Sequence, residues 1–208
     1  MSSQASYRKV NLIDGCAPGR PFVEGKVFRD FRLPQLNSVE ARWKEAREQI
    51  AHAARKAGFP RLEHAHWDWR GKMNRSRADQ YLLMAVECMG EIQGLMAVLR
   101  KPLSAQIGHG KVAYIDYIES APWNLKGYAK PPRFIGVGTV LMVEAVRLSV
   151  EMGLGGRVGL HSLPQAEPFY SRCRMTELGP DSDYHDLSYF EYNTHEAIDW
   201  LATIGVVL

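Results

Sequence analysis

The chain lacks any apolar run near the roughly twenty residues that a membrane-spanning helix needs, and its start reads as lacking a secretory leader. Its cysteines are few: Cys16, Cys88 and Cys173 stand far apart, without metal-ligand spacing. An odd number of isolated cysteines reads as free thiols in a reducing compartment, so the expectation is a cytoplasmic protein. Internal repeats and low-complexity tracts are absent, which excludes solenoids and disordered linkers. Neither sign of charge dominates, with 26 Lys and Arg against 23 Asp and Glu. A formal net charge of +3 permits an anionic cofactor or partner without requiring nucleic acid. The local basic run Arg70, Lys72, Arg75, Arg77 reads as a solvated loop before it reads as a binding patch.

What is present suits an ordinary globular domain: 208 residues, 46% hydrophobic and 24% charged. Residues 1–75 read as an N-terminal extension with the first helices, packed on the same domain, and residues 76–208 as its core. Within 1–36, Leu12-Ile13 and Phe22-Val23 read as short edge strands or packed loops. Asn37 and Glu40 form a capping-box pattern ahead of a helix carrying Val39, Trp43, Ala46, Ile50, Ala53 and Ala57 on one face. Gly58 and Pro60 end it. Two strand-like runs, 81–88 and 92–99, flank a Met89-Gly90-Glu91 turn, a hairpin signal. A strand over 112–119 follows. Residues 140–152 form a helix apolar almost all round, with Glu144, Arg147 and Glu151 on one stripe. Short strands at 157–162 and 186–192 and a closing helix at 194–201 complete the reading. This order predicts an α/β (α+β) fold.

Arg133-Phe134-Ile135-Gly136-Val137-Gly138-Thr139 lies between the third strand and the apolar helix. A glycine turn opening a helix offers unpaired backbone N–H groups and the positive end of a helix dipole, an arrangement suited to phosphate or pyrophosphate. Arg133 adds a fixed positive charge. A Rossmann turn would require glycine where Leu141 stands, and a P-loop would require Gly-Lys-Ser/Thr. The plain alternative is a strand-to-helix turn that needs glycine for its geometry.

Together with the helix, the strand to Ser162 and the run Ala166-x-x-Phe169-Tyr170, this turn resembles the acyl-CoA-binding half of the GCN5-related N-acetyltransferase (GNAT) superfamily. The resemblance covers roughly residues 81–192. It implies a mixed, mostly antiparallel central sheet flanked by helices, with acetyl-CoA as acyl donor and no metal. Arg133 to Thr139 would hold the pyrophosphate, and the backbone of Tyr117 and Ile118 the pantetheine arm. Phe169 would lie beside Tyr170, which would sit near the sulfur. Where the family often carries an Asn contacting the pantetheine, this chain offers Ser162 and Gln165.

The implied chemistry is direct attack of an amine on a thioester. An amine of pKa about 10.4 costs about 4.6 kcal/mol to deprotonate at pH 7, so a carboxylate base is expected. Glu119 and Asp116 are the candidates, with Glu119 preferred as nearer the strand end and Asp116 placed with the acceptor. A salt-bridged carboxylate is the competing reading of Glu119. The segment 120–132 is longer than the family usually has between strand and turn, and its Trp123 and Asn124 would help select the acceptor. That acceptor is left open between a small amine, an amino acid, a peptide, a protein lysine and a charged tRNA. The strand at 186–192 could be shared in a homodimer. His161 reads as a proton carrier or a hydrogen-bonded core histidine. His64, His66 and Asp68 would be the ligands if the protein were instead a metal-dependent hydrolase. A third possibility is a CoA-binding sensor or interaction module without turnover.

Overall fold

A computed structural model describes residues 7–75, 78–128 and 131–208. Arg77 of the basic run and Ala129 and Lys130 of the 120–132 segment lie outside the described residues. The elements are β1 (Tyr7–Asp14), β2 (Phe22–Phe28), α1 (Leu33–Lys56), α2 (Trp69–Arg75), β3 (Tyr81–Cys88), β4 (Glu91–Leu99), β5 (Leu103–Ser104) and β6 (Lys111–Ser120). They continue with β7 (Phe134–Ile135), α3 (Val137–Glu151), β8 (Val158–Ser162), α4 (Glu167–Arg172), β9 (Thr176–Asp181), β10 (Leu187–Tyr192) and α5 (Thr194–Thr203). The fold is mixed α/β, with mostly antiparallel sheet and flanking helices.

The chain divides into two compact units, Met1–Met96 with Ile118–Leu141, and Ala97–Tyr117 with Met142–Leu208. In the first, the strand order is β7-β1-β2-β3-β4. The N-terminal segment is a full antiparallel hairpin, Tyr7 facing Phe28 and Ile13 facing Phe22. At the β3–β4 turn both Met89 (φ 55°) and Gly90 (φ 79°) are left-handed, the backbone that a tight two-residue hairpin demands.

Helix α1 begins four residues before the Asn37 cap that the pattern suggests. Pro34 fits the first turn, where its missing N–H costs nothing, and Gln35 Oε1 accepts the Arg32 N–H at 2.9 Å. Glu40, freed from capping, turns inward. The buried stripe of α1 is Leu36, Val39, Trp43, Arg47 and Ala54, whereas Ala53 and Ala57 face solvent. An arginine therefore lies on the buried stripe, at a position outside the apolar set read from the spacing. Leu12, Trp43, Trp69, Met73, Met84 and Leu95 are fully buried in this unit.

In the second unit β6 and β8 run parallel, Ala113 beside Val158 and Ile115 beside Leu160. Parallel neighbours need a crossover connection, and the chain between them contains α3. β10 pairs antiparallel with β8 and with β9. Strand β9 has no clear alternation in the sequence, and its Gly179-Pro180 pair hides it. An Asn193–Glu196 capping box starts α5. Glu144, expected on the polar stripe of α3, is fully buried.

Candidate functional site

In the first unit the glycine turn is held from three sides. Phe134-Ile135 pairs with Asp14-Ile13 of β1. The Gly15 N–H donates to the Arg133 carbonyl at 2.9 Å, and the Arg133 N–H donates to Trp123 O at 3.0 Å. The Phe134 N–H donates to Asn124 Oδ1 at 2.8 Å. Gly136 has φ 98°, a conformation L side chains rarely adopt, and among the described residues only Leu12 Cδ2, at 4.0 Å, lies near an added Cβ. Helix α3 begins at the next residue and has no acidic side chain in its first turn, so no side-chain carboxylate there competes for the leading amides. Gly94 of β4 lets this helix start approach: a Cβ there would meet Val137 Cγ1 at 2.6 Å and Leu141 Cδ1 at 3.0 Å.

The segment after β6 is built into this support. Ala121 N–H donates to Gln93 O at 2.8 Å. The buried Asn124 donates through Nδ2 to Gln93 Oε1 at 3.0 Å, and Trp123 Nε1 donates to the same oxygen at 2.8 Å. The Tyr128 hydroxyl reaches Pro60 O, 3.0 Å away, beyond the end of α1. Arg133 is not a lone cation: its Nη1 lies 2.6 Å from Glu91 Oε2, and Arg42 pairs with the other oxygen of Glu91 at 2.5 Å. Arg42 also covers the Trp123 ring at 5.1 Å.

Glu119 lies in the same unit, inside a charge cluster that the sequence does not announce. Its carboxylate accepts from Arg47 Nη1 at 3.0 Å (Oε1) and from Trp69 Nε1 at 2.6 Å (Oε2). Arg47 also donates to Glu40 and, at 2.7 Å, to Trp67 O. Glu40 accepts the Trp69 N–H at 2.9 Å. The His64 Nε2 stands 3.6 Å from Glu119 Oε1 and has no hydrogen-bond partner. Burial pushes the Glu119 carboxyl up to about 7, against the opposing pull of Arg47 and Trp69. Burial, then the Arg47 charge, pushes His64 down to about 4. Two carboxylates around one guanidinium leave one excess negative charge when both ionise, and taking up a proton removes it.

Trp67 packs on Trp69 and His64 and lies under Lys72, making 64–69 a packed turn. Among the described residues no group of three or more His, Cys, Asp or Glu is placed to hold a metal ion.

In the second unit Tyr170 is buried on α4, its ring 5.6 Å from Phe190 and 5.2 Å from Phe169. Burial raises its phenol well above the usual range, so its O–H remains a donor. Ser162 is buried and donates to Leu163 O at 2.9 Å, while Gln165 is exposed. Asp116 and Tyr117 are half-buried, as is Ile118 in the first unit. His161 is a hydrogen-bonded histidine, 2.7 Å from the Tyr114 hydroxyl and 3.2 Å from Asp181 Oδ2, stacked on Tyr184.

No protein-family model and no curated protein matches the chain. Solved structures do. An acetyltransferase of the GNAT family from Listeria monocytogenes is similar over 89% of this chain and 99% of its own, with a TM-score of 0.55 and 13% identity. The PaiA N-acetyltransferase of Thermoplasma acidophilum, solved in complex with coenzyme A, is similar over 81% and 98%, with a TM-score of 0.51 and 12% identity. At these identities the likeness is one of architecture, and it agrees with the strand and helix order above: this chain has the GNAT superfamily fold.

Proposed function

We propose that this protein is an N-acyltransferase that moves an acetyl group from acetyl-CoA to a primary amine by direct attack in a ternary complex. The observation that carries the reading is the start of α3. A left-handed Gly136 opens a helix whose first turn has no acidic residue. That turn follows a β-strand, and solved structures with this architecture include one in complex with coenzyme A. The backbone amides at 136–139 suit a pyrophosphate, and the first-turn geometry fits the group. Arg133, neutralised in part by Glu91, supplies charge at the edge of the turn.

The roles that follow are assigned by the family resemblance together with the chemistry of each group. The backbone of Tyr117 and Ile118 pairs with the pantetheine arm, with Ser162, Gln165 and Phe169 along it. The Tyr170 hydroxyl, kept protonated by burial, donates to the departing thiolate. Glu119 takes the amine proton through a water, since its own atoms are almost wholly buried. An ionisation near 7 suits a base that must accept and release a proton in each cycle. Asp116, Trp123 and Asn124 belong to acceptor recognition, with Asn124 acting through the turn it props. A small amine or a peptide is the simplest acceptor, and an aminoacyl-tRNA fits the same chemistry.

The clamped position of Glu119 favours a second reading, a CoA-binding module without turnover. Thiol release from acetyl-CoA across a broad amine panel separates the two. Amine-dependent release, lost in a folded Glu119→Gln variant, supports the transferase. Binding of CoA without release under any amine supports the module.

A further inference from the structure

A base as deeply buried as Glu119 has a problem that its clamp does not solve. The proton it takes through a single bridging water has to leave again, and bulk solvent has almost no access to it: the side chain is 1% exposed. Its immediate donors, Arg47 and Trp69, can give hydrogen bonds but cannot accept a proton. Around the carboxylate the charged and titratable groups are Arg47 and Glu40 of α1, and His64, His66 and Asp68 of the turn that precedes Trp69. Glu40 is tied to Arg47 and to the Trp69 N–H. The His64 Nε2 is buried with no hydrogen-bond partner, and it lies beside Glu119 Oε1 at 3.6 Å. Its side chain is 15% exposed, against 1% for Glu119.

An orphaned imidazole nitrogen is costly in a protein interior. A proton shared with the neighbouring oxygen would satisfy it in either direction. With Glu119 protonated, the Oε1–H donates to a bare Nε2. With Glu119 ionised, an Nε2–H donates to the carboxylate. The imidazole can make this exchange without ever becoming a stable cation, because its two nitrogens allow two neutral tautomers.

We propose that His64 is the proton exit of Glu119, a relay residue that passes the proton taken from the acceptor amine out to solvent. The step balances. The Glu119 Oε1–H bond breaks as an Nε2–H bond forms on His64, and the Nδ1–H bond gives its proton to water. A half-turn of the ring, which carries the Nε2–H to solvent and turns the bare Nδ1 toward Oε1, restores an unprotonated nitrogen beside Glu119 for the next turnover. The depressed basicity of His64 supports this role, since a stably charged imidazolium beside Arg47 would block it. The proposal rests on the reading of Glu119 as base, but the pairing itself has a readout that needs no activity.

The test is nitrogen NMR on the wild-type protein with labelled histidine and tryptophan, titrated from pH 5 to pH 9. The Trp69 indole N–H, hydrogen-bonded to Glu119 Oε2, reports when the carboxyl ionises. The expected result is that His64 Nε2 changes from an unprotonated to a protonated nitrogen at the same midpoint. A His64 ring holding one tautomer while the Trp69 resonance moves would overturn the proposal.

In the kinetic arm, His64→Gln should lower turnover by about 100-fold, the scale of one lost proton-transfer group. In His64→Ala, added imidazole should restore part of the rate. Full turnover in a folded His64→Gln protein contradicts the relay. Should the wild type cleave no thioester with any amine, the transferase reading fails, while the NMR titration still decides whether His64 and Glu119 share a proton.

Discussion

At the scale of single residues, the centre of this molecule is the contact between Arg47 and Glu119. A guanidinium in a core position must be paired, because an isolated buried charge is far more costly than the pair. Arg47 meets that condition through Glu119, Glu40 and the Trp67 carbonyl. The consequence for stability has a definite sign. Glu119 titrates higher folded than unfolded, so the folded state holds more protons between about 4.5 and about 7. Stability attributable to Glu119 is therefore full below that window and falls as pH rises through it. His64, depressed to about 4, acts oppositely, and its contribution rises between about 4 and 6.5. Thermal unfolding of wild type and Glu119→Gln across pH 5–8 isolates the first effect. The variant should gain stability relative to wild type as pH rises, and an unchanging difference would refute the assignment.

The sequence identifies Glu119 as a carboxylate near a strand end but not its partner. Arg47 lies 72 residues away in the chain, one position past Ala46 of the expected apolar face, and reads there as one more solvent-facing charge of the helix. Only the tertiary pairing explains it. The Asn37–Glu40 motif misleads for the same reason, because Glu40 is spent on Arg47 and Trp69.

At the scale of elements, the approach of β4 to α3 sets the geometry of the turn. A Cβ at Gly94 would lie 2.6 Å from Val137 Cγ1 and 3.0 Å from Leu141 Cδ1, so both side chains, the stiff β-branched valine above all, would have to shift. Gly94→Ala should destabilise the protein by about 1–3 kcal/mol through overpacking. It should also weaken CoA binding by displacing the first turn of α3. Calorimetric binding on the folded variant checks this, and wild-type affinity would mean that Gly94 does not position the turn.

Elements with strong local signals were legible. The 3.6-residue spacing in α1, the Gly90 hairpin and the glycine start of α3 all depend on short-range chemistry. The β1–β2 hairpin was visible only as two apolar pairs, because charged and polar residues interrupt its apolar positions. The buried network of Gln93, Trp123 and Asn124 was not legible either. Trp123 and Asn124 read as acceptor-facing residues, and their hydrogen bonds to Gln93 depend on a fold the spacing cannot convey.

At the scale of the whole molecule, the parallel β6–β8 pair with α3 in its crossover follows from the strand–turn–helix–strand order of the sequence. The strand order of either unit, and the existence of β9, follow from long-range pairing that no local pattern encodes. Among the described residues no helix is long and apolar enough to cross a membrane.

The account depends most on the glycine turn as the place where coenzyme A binds. Calorimetric titration of acetyl-CoA into wild type and into a Gly136→Asp/Gly138→Asp double variant, each checked for folding by circular dichroism, tests it directly. The account predicts micromolar binding by wild type and none by the folded variant. Absence of binding by a well-folded wild type, or equal binding by both proteins, would contradict it.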